Sequence, residues 1–144
     1  MTTTSGIVGV LGGKTAMRKK VGTAVELTEA IREGLPYASL EALLDRLHLT
    51  RSEAAEILHL PERTLARRRK EKRLRPDESD RVLRLARLFS LATTVLESEE
   101  NAATWFSQPN RSVGGRTPLS MVDTEIGARE VEDALWRIAH GVFS

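Results

Sequence analysis

Arginine is the residue type whose spacing in this chain points most plainly to chemistry. Between residues 61 and 75 stand eight Lys and Arg against two Glu, out of 22 basic residues in all 144. Guanidinium groups pair bidentately with phosphates and with guanine edges. A basic block of this density is the electrostatic footprint of a polyanion site. An ordinary solvated helix face mixes signs for i,i+4 pairing, and here only Glu62 and Glu71 interrupt. Arg63, Thr64, Arg67 and Arg68 are placed to meet base edges or phosphates of duplex DNA. Arg69, Lys70, Lys72, Arg73 and Arg75 are placed to meet the backbone, which adds affinity without sequence information. Binding of this kind is steeply salt-dependent.

Other chemistry is not supported. The run Gly9-Val10-Leu11-Gly12-Gly13-Lys14-Thr15 is close to a phosphate loop, but Val8 stands where its first glycine belongs and no strand precedes it. His48, His59 and His140 lack metal-ligand spacing. Ser107 and Ser112 have no nucleophile-elbow context. With no cysteine there is no thiolate site and no Cys nucleophile. No enzyme, no cofactor and no metal are therefore expected.

A reading helix must be positioned by its neighbours, and the surrounding sequence supplies them. Thr50 with Glu53 three residues on is a capping box. The short helix it opens turns Ala54, Ala55, Ile57 and Leu58 inward, the alanines being small enough for a second helix to cross. Pro61 fits the first turn of that second helix, with Leu65 and Ala66 on its inner side. Two short helices joined by a tight turn, the second basic, form a helix-turn-helix, the arrangement that reads a major groove. Upstream, Leu40, Leu43, Leu44 and Leu47 recur at helical spacing, with Ser39 as a cap. Thr23 to Glu33 reads as a helix with Val25, Ala30 and Ile31 as its apolar edge, stopped by Gly34 and Pro36.

Residues 1–22, rich in Gly and Thr with a basic patch at Arg18, Lys19 and Lys20, read as a flexible arm. Downstream, a long helix from Asp77 carries Val82, Leu85, Ala86, Phe89, Val95 and Leu96. A short one holds Ala102, Ala103, Trp105 and Phe106. Arg111 to Pro118 and Thr124 to Gly127 read as turns. Val131, Leu135, Trp136, Ile138 and Ala139 describe a last amphipathic helix to His140. No strand alternation of useful length appears, so the fold class is all-α: an arm at 1–22, a helix-turn-helix domain at 23–80 and a small helical domain at 81–144.

The formal net charge is only +2, yet the halves differ: residues 99–144 carry four basic and seven acidic groups. Hydrophobic residues make up 40%, enough for a core. The longest uncharged run, Met1 to Gly13, is too short and too polar to span a bilayer and lacks the basic start of a secretory signal. A cytoplasmic location, with nucleoid association when on DNA, is expected.

The stretch Thr50 to Leu58 followed by Pro61 to Leu65 resembles the Xre/Cro-type helix-turn-helix. It departs from that motif where His59 takes the place of the usual turn glycine. Further on, Trp105, Pro109-Asn110, Gly114-Gly115-Arg116-Thr117-Pro118-Leu119, Thr124-Glu125, Gly127-Ala128, Val131, Leu135, Arg137-Ile138 and His140-Gly141-Val142-Phe143 resemble the toxin-binding domain of Xre/MbcA/ParS antitoxins. That resemblance implies a type II antitoxin that binds a RES-domain, NAD-consuming toxin through its C-terminal domain, obstructs the toxin's cleft with its C-terminal end and represses its own operon. It implies Asn110, Arg116, Arg137, His140, Gly141, Val142, Phe143 and Ser144 as toxin contacts. A homodimer is expected, because one short reading helix covers a half-site, with a larger hetero-oligomer on toxin binding. The alternative is a stand-alone dimeric repressor without a toxin partner.

Overall fold

The computed structural model describes residues 3–141, and among them the architecture is all-helical. In chain order the helices are α1 (Thr4–Val10), α2 (Gly13–Met17), α3 (Ala24–Glu33), α4 (Tyr37–Leu47), α5 (Arg51–Leu58), α6 (Glu62–Glu71), α7 (Pro76–Leu96), α8 (Glu99–Ser107) and α9 (Glu125–Ala139). Two 3-10 turns, Arg111–Val113 and Pro118–Met121, connect α8 to α9. The long α7 is the axis, and α1, α3, α5, α8 and α9 all pack against it. Its inward stripe of Val82, Leu85, Ala86, Leu88, Phe89, Leu91 and Ala92 is buried. The expected domain boundary at 80/81 falls inside this one helix.

The N-terminal segment departs from the flexible arm expected of it. Thr3 caps α1, its hydroxyl oxygen accepting from the Gly6 amide at 2.9 Å. Ile7, Val8, Val10, Leu11 and Met17 then enter the core against α7 and α4. Gly6 and Gly9 each cost a helix about 1 kcal/mol relative to Ala. Burying one large apolar side chain returns roughly 1.5–3 kcal/mol, so the packing decides.

Other local expectations are refined in the same way. Val25 on α3 is 69% exposed, and Leu27 with Ala30 forms the buried edge instead. The helix is fixed by a Thr23–Glu26 capping box. Ser39 caps nothing: α4 begins two residues earlier, and the buried Ser39 hydroxyl donates to the Met17 sulfur at 3.2 Å. Leu40, Leu43, Leu44 and Leu47 are all buried, as their spacing predicts. The α3–α4 loop is clamped to the segment after α6. The Leu74 amide donates to the Leu35 carbonyl at 2.8 Å and the Tyr37 amide to the Lys72 carbonyl at 3.1 Å. Gly34, at φ +94°, is required there, since a Cβ would lie 2.1 Å from the Leu74 carbonyl oxygen.

Candidate nucleic-acid and partner interfaces

The helix-turn-helix is built by α5 and α6. Thr50 and Glu53 form the expected capping box, the Glu53 amide donating to Thr50 Oγ1 at 3.1 Å and the Thr50 amide to Glu53 Oε1 at 3.0 Å. Ala54, Ala55 and Leu58 are buried against the neighbouring helices and Ile57 is half-buried. His59 occupies the left-handed conformation (φ +54°, ψ +45°) in which a turn glycine is usual. Its ring nitrogen Nε2 lies 2.8 Å from Asp123 Oδ2. Pro61 stands at the cap position just before α6 rather than within its first turn.

On α6, Leu65 is the inner anchor and Ala66, expected beside it, is exposed. Arg63, Ala66, Arg67 and Lys70 follow one another at helical spacing, and all are exposed. Thr64 is half-buried on the flank; Arg69 and Lys72 are exposed. Among the described residues, Arg63, Arg67 and Lys70 form no ion pair. Arg51, in the first turn of α5, lines an open hollow with Glu62, Arg63, Leu65 and Ala66. It belongs to the same face, and only its place at the start of the first motif helix signals this in the sequence.

Two of the expected DNA contacts are corrected. Arg68 is 5% exposed. Its Nε donates to Glu78 Oε1 at 2.8 Å, and its Nη1 to Glu71 Oε1 at 3.1 Å. The pairing with Glu78 raises its pKa further. It lies three residues from Leu65, on the inner face, and locks α6 to the start of α7. Glu78 also accepts from the Arg75 amide at 2.8 Å, so one carboxylate ties both elements. Arg73 turns its guanidinium away from α6, donating to the Gly34 carbonyl at 2.8 Å.

The C-terminal half is organised around Asn110. Its Oδ1 accepts from the Ser112 amide at 2.9 Å, and its carbonyl from the Val113 and Gly115 amides. Its own amide donates to the Arg116 carbonyl at 2.9 Å. Arg137, half-buried on α9, donates to the Ser112 carbonyl at 3.3 Å. Asn110 and Arg137 thus shape the loop between them, and Arg116 is left exposed on it. Thr124 caps α9, its hydroxyl oxygen accepting from the Gly127 amide at 2.9 Å. The expected turn at 124–127 is therefore helix, and Gly127 is there for packing: a Cβ would lie 1.9 Å from the Met121 carbonyl oxygen. At the far end His140 stacks on Trp136, ring centroids 5.6 Å apart. His140 and Gly141 are exposed, and Val142, Phe143 and Ser144 lie outside the described residues.

The two halves are joined by side chains of α7. Arg81 donates to the Leu58 carbonyl at the end of α5 at 3.0 Å. Arg84 lies 3.7 Å from Glu125, and Arg87 pairs with Glu132, both on α9. With His59–Asp123, these contacts fix the α5–α6 turn to the start of α9. Among the described residues no helix is long and apolar enough to cross a membrane.

Comparison with known proteins matches this geometry. A family model described as the antitoxin Xre-like helix-turn-helix domain covers residues 26–87. Another, the antitoxin Xre/MbcA/ParS C-terminal toxin-binding domain, covers 91–141. "Antitoxin Xre" of Yersinia enterocolitica is 34% identical over 135 residues, covering 90% of this chain and 91% of that protein. "Antitoxin Xre" of Pseudomonas putida is 35% identical over 117 residues, covering 81% and 72%. A chain of the M. tuberculosis MbcT–MbcA toxin–antitoxin complex shares the fold, with a TM-score of 0.53 at 23% identity over 86% of this chain and 100% of that one. With an Xre-like helix-turn-helix leading into the toxin-binding domain, the chain belongs to the Xre/MbcA/ParS family of antitoxins.

Proposed function

We propose that this antitoxin neutralises a cognate RES-domain, NAD-consuming toxin by closing the toxin's cleft with its C-terminal region, and represses its own operon through α6. It acts without catalysis, in the cytoplasm, and takes no cofactor. The observation that carries the reading is the separation of two free surfaces on one rigid axis. Arg63, Arg67 and Lys70 stand exposed on α6. At the other half Arg116, His140 and Gly141 are exposed where the chain runs on into Val142-Phe143-Ser144. The apolar pair Val142-Phe143 that follows suits entry into a cleft of the toxin. Two copies are needed to read a two-fold operator. Ile126, 81% exposed on α9, is an apolar residue left over for their contact, since the apolar residues of α7 and α8 are mostly used within the chain.

Native capture of the chain from its source cells, with nuclease added, tests this directly. The expected result is one stoichiometric partner protein that consumes NAD once released and stops when the chain is restored. Capture of self alone, as a clean dimer, would leave a repressor and refute the antitoxin role.

A further inference from the structure

Lys19 and Arg73 are far apart in sequence but meet at Glu33. Lys19 Nζ lies 2.9 Å from Glu33 Oε2. Arg73 donates to the carbonyls of Gly34 and Glu33. Both cations hold the Glu33 carboxyl below the usual carboxylate range. A concavity of about 150 Å³ between them is lined by Met17, Arg18, Lys19, Gly34 and Arg73, with the paired Glu33 carboxylate also on its wall. Arg18 and Lys20 are exposed and, among the described residues, form no ion pair. Lys20 acts on the carboxyl of Glu26 only through its field. The matched helix-turn-helix domain begins at residue 26, so Arg18, Lys19 and Lys20 lie outside it.

The cluster is continuous with the reading helix, because Lys72 caps α6 and Arg73 follows it. A ten-residue helix is roughly 15 Å long, and the major groove of B-DNA is about 12 Å wide. With one end of α6 at base edges, the other end lies at the phosphates bordering the groove. We infer that Arg18, Lys19 and Lys20, with Lys72, form a phosphate-contacting flank that extends the duplex-DNA footprint beyond α6, while Arg73 ties the flank to the α3–α4 loop through the Gly34 carbonyl. The inference rests on the reading of α6 as the operator-binding helix. It gives the folded N-terminal segment a role, because α2 and its packing on α4 hold the three cations in place.

The test is a salt titration of operator binding by the full chain, followed by fluorescence anisotropy. Arg18→Gln/Lys20→Gln is expected to flatten the slope of log K against log salt by roughly 2, near one per lost phosphate contact. The preference for operator over scrambled duplex should stay the same. Arg18→Lys/Lys20→Arg should keep the wild-type slope, and the charge-matched Arg111→Gln/Arg129→Gln should keep it too. An unchanged slope in Arg18→Gln/Lys20→Gln overturns the flank while leaving α6 as the reader. So does a loss confined to toxin neutralisation, which would make the patch a protein-docking surface. Absence of wild-type binding to any duplex overturns the reading of α6 as well.

Discussion

Arg68 stands amid the most basic stretch of the chain and yet is not free to touch DNA. Removing it leaves Glu78, 3% exposed, as an unpaired buried charge. Loss of one partner of a buried pair costs about 3–5 kcal/mol. Arg68→Ala is therefore expected to lower the urea midpoint strongly, whereas Arg67→Ala should stay within about 0.5 kcal/mol of wild type, as exposed substitutions do. Equal midpoints for the two variants would contradict the assignment. The residue pattern contained half of this result: Arg68 falls three positions from Leu65 and shares its face, but the partner Glu78 arrives from the next helix and no local pattern announces it. His59 was legible as the turn residue; its hydrogen bond with Asp123, 64 positions away, was not. The carboxyl of Glu26 is held low chiefly by the Gly22 amide and also by Thr23. A group depressed in the folded state stabilises it above the unfolded pKa, and that contribution disappears as pH falls through the folded value. The Tm gap between wild type and Glu26→Ala should therefore be full near neutral pH and narrow in acid, below about pH 4. A gap that is constant with pH would assign the capping box no charged component.

Among the elements, those with a strong apolar period and a recognisable cap were readable. The capping box of α5, the leucine stripe of α4 and the buried face of α7 follow from spacing alone. The two N-terminal helices were not, because Gly and Thr depress helix propensity and α1 exists through tertiary burial. Ile7, Val10 and Leu11 do fall on one helical face, a signal that composition obscures. Leu11 is fully buried, so Leu11→Ala should cost about 2–5 kcal/mol, read by thermal or urea denaturation. A change near zero would restore a loose arm. The start of α9 was hidden by Gly127, a turn residue by habit that here admits the Met121 carbonyl. For α6, Arg63→Ala/Arg67→Ala should lower operator affinity by about 1–3 kcal/mol for each lost base contact, with the melting curve unchanged and toxin inhibition intact. Simultaneous loss of inhibition would show that the two surfaces are not separate.

At the scale of the whole molecule, one helix serves both halves. α7 presents Arg81 to the end of α5, and Arg84 and Arg87 to α9, so the reading turn and the toxin-binding domain share a rigid axis. This organisation explains why the two matched domains abut within α7 at residues 87 and 91. It also explains why no linker composition marks a boundary in the sequence. In the proposed function, the C-terminal end does the neutralising while the rest of the chain supplies the platform. The direct measurement is the rate of NAD consumption by the cognate toxin, titrated with the full chain and with a chain lacking Val142 to Ser144. The truncated chain should melt like the full one and still bind operator, but fail to stop NAD consumption at equal concentration. Full inhibition by the truncated chain would contradict it.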